Sequence, residues 1–184
     1  MKVIAKKPNN CSGLELNSFL KLVSVGNEVN TNGLQNRILD AEQLFFIYEN
    51  EQCVGISAVK CPQKSYITSI FKEAGALVEE KYEYELGWVY VLEDKRKKGY
   101  GAILTMSACH HLSEKLPDKA CYSTVREDNT KMRNLLEQFG FKRLGNSYES
   151  KRGGYFIVLY VKNNVSHIWL LLFTNYFRLK IGSI

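Results

Sequence analysis

The sequence predicts one α/β domain, a mixed sheet flanked by helices. Segments rich in β-branched and aromatic residues alternate with segments of helical period. Their order is strands, then strand–helix–strand–helix–strand–strand, which layers helices on a sheet. The 184 residues suffice for one domain with a real core, and 45% hydrophobic with 24% charged residues is ordinary for a globular chain.

Met1 to Ala5 is the first strand. Leu14 to Val25 reads as a helix capped by Ser12. Asn27 to Asn36 is polar and turn-rich, with Asn32-Gly33 a strong breaker. Leu44 to Tyr48 and Cys53 to Val59 form a hairpin around Asn50-Glu51-Gln52. Lys64 to Ala76 is amphipathic, a helix or a loop over one end of the sheet. Leu86 to Leu92 is aromatic and β-branched, hence a strand. Ile103 to Leu116 lacks Gly and Pro, and Leu104, Ala108 and Leu112 recur every fourth residue; Pro117 ends this helix. Ala120 to Val125 is a strand. Asp128-Asn129 caps a helix whose apolar stripe is Met132, Leu135, Leu136 and Phe139, with Gly140 as its stop. Phe141 to Tyr148 and Tyr155 to Val161 close the domain as a hairpin around Ser150 to Gly154.

The domain is expected to span residues 1–162. Residues 163–184 differ, because Ile168 to Phe173 is an apolar run too short to span a bilayer. The expectation is a segment packed on the domain or on a second subunit, as in a homodimer, and not a membrane anchor.

The net charge of +6, from 25 Lys+Arg against 19 Asp+Glu, suits an anionic cofactor. It is too diffuse to argue for nucleic acid, and no helix-turn-helix, RRM or zinc pattern is present. The five cysteines are odd in number and lack Cys-x-x-Cys spacing. With no signal peptide, reduced thiols in a cytoplasm are the simplest reading. His110 and His111 point about 100° apart on a helix, so they lack metal-pair spacing and no metal is expected.

The chemistry centres on Glu93 to Ala102, a basic turn between a strand and a helix N-terminus. Such a terminus presents unpaired N–H groups and partial positive charge to phosphates, and Gly99 and Gly101 admit a ligand close to the backbone. A Walker A loop needs Gly-Lys-Ser/Thr, which Gly99-Tyr100-Gly101-Ala102 is not. A dinucleotide fingerprint needs a glycine at position 104, which is Leu104. The plainer alternative is a solvated turn with four cations.

Arg96-Lys97-Lys98-Gly99-Tyr100-Gly101 resembles the pyrophosphate loop of the GNAT superfamily, the acetyl-CoA-dependent N-acyltransferases. Thr124 to Asn129, Met132, and Leu135 to Phe141 resemble that family's second block, in its order and at its separation. The resemblance covers roughly residues 40 to 162. It implies a splayed, mostly antiparallel mixed sheet with acetyl-CoA in the opening. The pyrophosphate would lie on Arg96, Lys97, Lys98, Gly99, Tyr100, Gly101 and Ala102. Backbone groups at Val91 and Leu92 would hold the pantetheine arm, an N–H near Val91 would polarise the thioester, and Asn129 would meet the cofactor across the splay.

The reaction so implied is direct acetyl transfer to an amine, with no covalent enzyme intermediate. No cysteine occupies a nucleophile motif. In the histone-acetyltransferase branch the base glutamate precedes the position of Val91 by six residues, and Glu85 has that spacing. Strand alternation would put Glu85 on the face of Gly87, Val89 and Val91, with Glu83 on that face nearer the strand end. The alternative for Glu85 is a surface carboxylate. The family's acid tyrosine is replaced by Leu136, leaving Tyr148, Tyr155 or a water as candidate substitutes. Glu79, Glu80 and Glu83 would suit a cationic amine, but the acceptor is not legible. The rival reading is a catalytically silent GNAT domain that binds an acyl-CoA or a partner.

Overall fold

The computed structural model describes residues 1–78 and 81–163. The apolar tail and the pair Glu79-Glu80 lie outside them. A seven-stranded sheet runs in the order β1-β2-β3-β4-β5-β7-β6. The strands are β1 (Lys2–Lys6), β2 (Gln43–Glu49), β3 (Gln52–Lys60), β4 (Tyr82–Val91), β5 (Ala120–Arg126), β6 (Lys142–Glu149) and β7 (Phe156–Lys162). The helices are α1 (Gly13–Gly26), α2 (Leu34–Leu39), α3 (Lys64–Glu73), α4 (Tyr100–Lys115) and α5 (Thr130–Gln138). All strand pairs are antiparallel except β4 with β5. No helix among the described residues is long and apolar enough to cross a membrane.

Local chemistry explains the helix starts. Ser12 and Glu15 form a reciprocal capping box on α1. Asn129 caps α5 by accepting a hydrogen bond from Met132 N at 3.1 Å. The amphipathic Lys64–Ala76 segment resolves as α3, which buries Ile67, Ile70 and Phe71. One expectation fails between Asn27 and Asn36. The polar stretch gives way to α2, whose Leu34 and Ile38 are buried one turn apart. An i,i+4 pair is too short a pattern to register as a helical period.

Three apolar clusters cover the sheet. On one face α4 packs Leu104, Ala108 and Leu112 against Phe45, Ile47, Val54 and Leu86. On the other face α1 and α2 pack Phe19, Leu22, Leu34 and Ile38 against Leu44, Phe46 and Ile56. Beside them, α3 packs Phe71 against Tyr82, Tyr122 and Leu159.

The feature that makes a site is the parting of β4 from β5. Their pairing runs from Tyr82↔Ala120 to Glu85↔Tyr122 and stops there. Beyond it β5 continues on β7, while β4 continues on β3 to Gly55↔Val91. The two strands therefore diverge from Glu85 onward and leave one edge of β4 open.

Two bulges change the faces of β4. Tyr82 to Tyr84 spans two residues against one on β5. Ile56↔Tyr90 and Ala58↔Gly87 place three steps of β4 against two of β3. Each extra residue reverses the alternation. Val89 and Val91 accordingly pack toward α4, whereas Trp88 and Tyr90 pack toward α1. This corrects the expected face of Glu85. It lies with Gly87 and Trp88, opposite Val89 and Val91, and Glu83 is not on its inward row.

Candidate active site

The basic turn leaves a helix N-terminus open. Lys97 and Gly99 have positive φ, 67° and 81°. Gly99 N-caps the 16-residue α4 without any side-chain cap. The first bond of the helix is Ile103 N to Gly99 O at 3.1 Å. The N–H groups of Gly99, Tyr100, Gly101 and Ala102 donate to no partner among the described residues. A Cβ built at Gly99 or at Gly101 meets nothing within 4 Å. Four free donors under open space are what an anionic group needs at a helix N-terminus. The residues therefore fit a pyrophosphate.

The side chains divide the work unequally. Glu49 at the end of β2 holds the turn from below. It accepts from the Tyr100 hydroxyl, and from Lys98 Nζ and Lys95 Nζ at 3.1 Å each. Those three donors pull the Glu49 carboxyl down to about 2, the Tyr100 hydroxyl first. The Tyr100 ring is buried in the α4 core and its hydroxyl is taken by Glu49, which leaves its backbone N–H for a ligand. Arg96 donates from Nε to Val91 O at 3.1 Å and lies over the Tyr90 ring. Lys97 is exposed and makes no ion pair among the described residues.

Just past β4, Leu92 donates its N–H to Val54 O and accepts from Lys95 N with its C=O. Its backbone is thus engaged on the β3 side and in the turn. Alternation then points the N–H and C=O of Val91 to the open edge, where Arg96 reaches the carbonyl. Of the two residues expected to hold a pantetheine arm, Val91 faces the opening and Leu92 does not.

A cleft of about 840 Å³ occupies the splay, a size typical of small-molecule sites. Glu85, Trp88, Asn129, Tyr148 and Tyr155 all line it. Trp88 has φ 53°, an unusual value for a bulky residue, and it marks the bulge that opens the β4 edge.

Glu85 is only 3% exposed. Its Oε2 accepts from Lys60 Nζ at 2.5 Å, and its Oε1 accepts from the Thr124 hydroxyl at 3.1 Å. It is therefore no surface carboxylate. It is a charge held inside the cleft by a cation from β3 and a hydroxyl from β5. Lys60 Nζ also lies 5.0 Å from the centre of the Trp88 ring. Around this pair stand tyrosines from three elements. The charge of Glu85 is the main reason that the Tyr66 hydroxyl is pushed up. Burial first, and Glu85 second, raise Tyr122 and Tyr148. Among the described residues the buried Tyr148 hydroxyl has no hydrogen-bond partner, and the buried Tyr122 hydroxyl has none within ordinary hydrogen-bond geometry. Lys60, Tyr66, Tyr122 and Thr124 carry no sequence signal for this role. Lys60 and Thr124 reach Glu85 only through the registers of β3 and β5.

The remaining predicted residues separate. Tyr155 lies beneath Arg126, whose guanidinium is 4.6 Å from the ring centre. Arg126 pairs with Asp128 at 2.6 Å and with Glu28 at 3.4 Å. Leu136 is fully buried in the α4 cluster, so its position faces no cleft. Glu83 pairs with Lys119 at 2.8 Å and is absent from the cleft wall, against the expectation that it greets a cationic amine. Among the described residues no group of three His, Cys, Asp or Glu is placed to hold a metal ion.

No curated protein sequence matches the chain. Solved structures do match in fold. Escherichia coli ElaA aligns at a TM-score of 0.67 and 15% identity, over 89% of this chain and 100% of its own. An acyl-CoA N-acyltransferase from Pseudomonas aeruginosa aligns at 0.66 and 13%, over 88% and 98%. The ribosomal-protein-S18-alanine N-acetyltransferase of Escherichia coli aligns at 0.63 and 14%, over 90% and 96%. The profile described as the Acetyltransferase (GNAT) family matches residues 20–141. That span holds the turn, the splay, Glu85 and Asn129, and the chain belongs to the GNAT acetyltransferase family.

Proposed function

We propose that the chain is an N-acetyltransferase that moves an acetyl group from acetyl-CoA directly to a primary amine. The observation that carries this reading is the buried Glu85 at the point where β4 and β5 part, in a cleft lined on its far side by Asn129. Acetyl-CoA supplies the activated acyl group. The N–H groups of Gly99 to Ala102, with Arg96 and Lys97, hold the pyrophosphate. Val91 and Asn129 meet the pantetheine arm.

The chain's own task is proton handling. A lysine-like amine has a pKa of about 10.4, so about one molecule in 2,500 is neutral at pH 7. Glu85 takes the excess proton, directly or through one water. Each of its oxygens accepts one hydrogen bond here, and a carboxylate oxygen has the lone pairs for a second. Tyr148 is the candidate proton donor on the same side of the cleft, and Tyr155 shapes the wall. Release of CoA thiol, measured across a panel of small amines and peptides, tests the reading. Amine-dependent release supports it, and release that no amine accelerates contradicts it.

A second reading is a silent acyl-CoA-binding domain. Two observations favour it: Leu136 is locked in the core, and Lys60 occupies Glu85. It predicts acetyl-CoA binding with no thiol release for any acceptor.

A further inference from the structure

The acceptor end of the cleft already contains a primary amine. Lys60 Nζ is 2.5 Å from Glu85 Oε2, with side-chain exposures of 15% and 4%. The amine sits 5.0 Å from the Trp88 ring centre, a favourable place for any cation. A Cβ built on Gly87 would lie 3.4 Å from Nζ, so the amine rests against the β4 backbone just before the bulge. The β4–β5 pairing ends at Glu85, so this is also where the two strands part. A glycine at 87 is what leaves room for the lysine stem, since a Cβ there would come within 2.9 Å of Lys60 Cδ.

We propose that Lys60 is itself an acyl acceptor, converted to Nε-acetyl-lysine by the acyl-CoA thioester in its own cleft. This rests on the acetyl-CoA reading above. The step balances as follows. The Lys60 ammonium passes one proton to Glu85. The freed lone pair on Nζ forms a bond to the thioester carbonyl carbon. The carbon–sulfur bond breaks, and its electron pair leaves on sulfur. The nitrogen then loses its second proton, and the thiolate gains one. The sum is ammonium plus thioester giving amide, thiol and one proton, with no oxidant or reductant. The product carries no charge, so the Lys60–Glu85 ion pair and the contact with Trp88 as a cation both end.

A lysine that only neutralises Glu85 would behave otherwise. A buried, paired ammonium is a poorer nucleophile toward free thioester than an exposed one. Chemical acetylation therefore favours exposed lysines such as Lys21, away from the turn.

The test is to incubate the full chain with deuterated acetyl-CoA and no acceptor, then map the label by peptide mass spectrometry. The expected result is label at Lys60 at least tenfold faster than at Lys21, saturating in acetyl-CoA and first order in protein. The preference vanishes in the heat-unfolded chain, in Glu85→Gln and in Gly101→Val. In Lys60→Arg the fast label disappears from the intact mass. Lys60 labelled no faster than Lys21, or equally in folded and unfolded chain, overturns the proposal. The same protein is run with the amine panel and with a melting assay. Acetylated amine with unlabelled Lys60 sinks the self-modification and leaves the transferase reading standing. No acetyl-CoA-dependent change in melting sinks both.

Discussion

Glu85 illustrates what a buried carboxylate needs from its neighbours. Burying a charge without partners is costly, and here one cation and one hydroxyl offset that cost. The same contacts fix the side chain at the splay. Replacing Glu85 by Gln is expected to lower kcat roughly 10²–10⁴-fold, the usual contribution of a general base. Acetyl-CoA affinity should stay within about twofold, and the defect should shrink as pH rises and the amine deprotonates itself. A steady-state profile from pH 6 to 10 on the true acceptor checks this. Arg96→Ala should weaken acetyl-CoA binding more than Lys97→Ala, because Arg96 also ties the turn to Val91 O. The family resemblance pointed to Glu85. Strand alternation misassigned its face, because alternation assumes an unbroken ladder and β4 carries two bulges. Lys60 and Thr124 were illegible, since they lie 25 and 39 residues from Glu85 and meet it only through pairing.

At the scale of elements, two devices hold the cleft in shape. Glu49 anchors the turn through Tyr100, Lys95 and Lys98. Its folded carboxyl is depressed to about 2, so the stabilisation is present above its unfolded value near 4.5 and is lost as pH falls toward 2. Glu49→Gln should therefore melt below the wild type at neutral pH, with the gap closing between about pH 4.5 and 2. Melting curves of both proteins across that range decide it. The second device is Gly145 on β6, with φ 70° and its Cβ position against the backbone of Ala74. Asn146 N donates to Ala74 O at 2.8 Å, which docks β6 on the end of α3 and sets Tyr148 at the cleft. Gly145→Ala should cost roughly 2–3 kcal/mol, from strain and lost docking together. Denaturant unfolding reads this directly. The strand and helix order was legible from periodicity, turn residues and caps. α2 was not, because six residues with one buried pair leave too little pattern.

At the scale of the molecule, the one parallel strand pair among the described residues generates the site. β4 and β5 pair only near their start, each then follows its antiparallel neighbour, and the gap between them becomes the cleft. The turn and α4 lie on one side of the sheet, while α1, α2 and α3 cover the other. Glu85 faces the second side, and Gly99 to Ala102 open on the first. Two short blocks in the sequence were enough to locate this frame, because phosphate binding and capping depend on local backbone. The rest of the cleft wall was not legible, because it is assembled from loops and strand ends far apart in the chain. The most direct test of the account is the melting temperature with and without acetyl-CoA, in wild type and in Gly101→Val. Gly101 has an ordinary φ and open space around its Cβ position, so the substitution should leave the free protein's melting unchanged. At a hundredfold excess over Kd the wild type should gain about 5–10 °C, and Gly101→Val should gain little or nothing. An equal gain in both proteins, or none in the wild type, would contradict the placement of the cofactor on this turn.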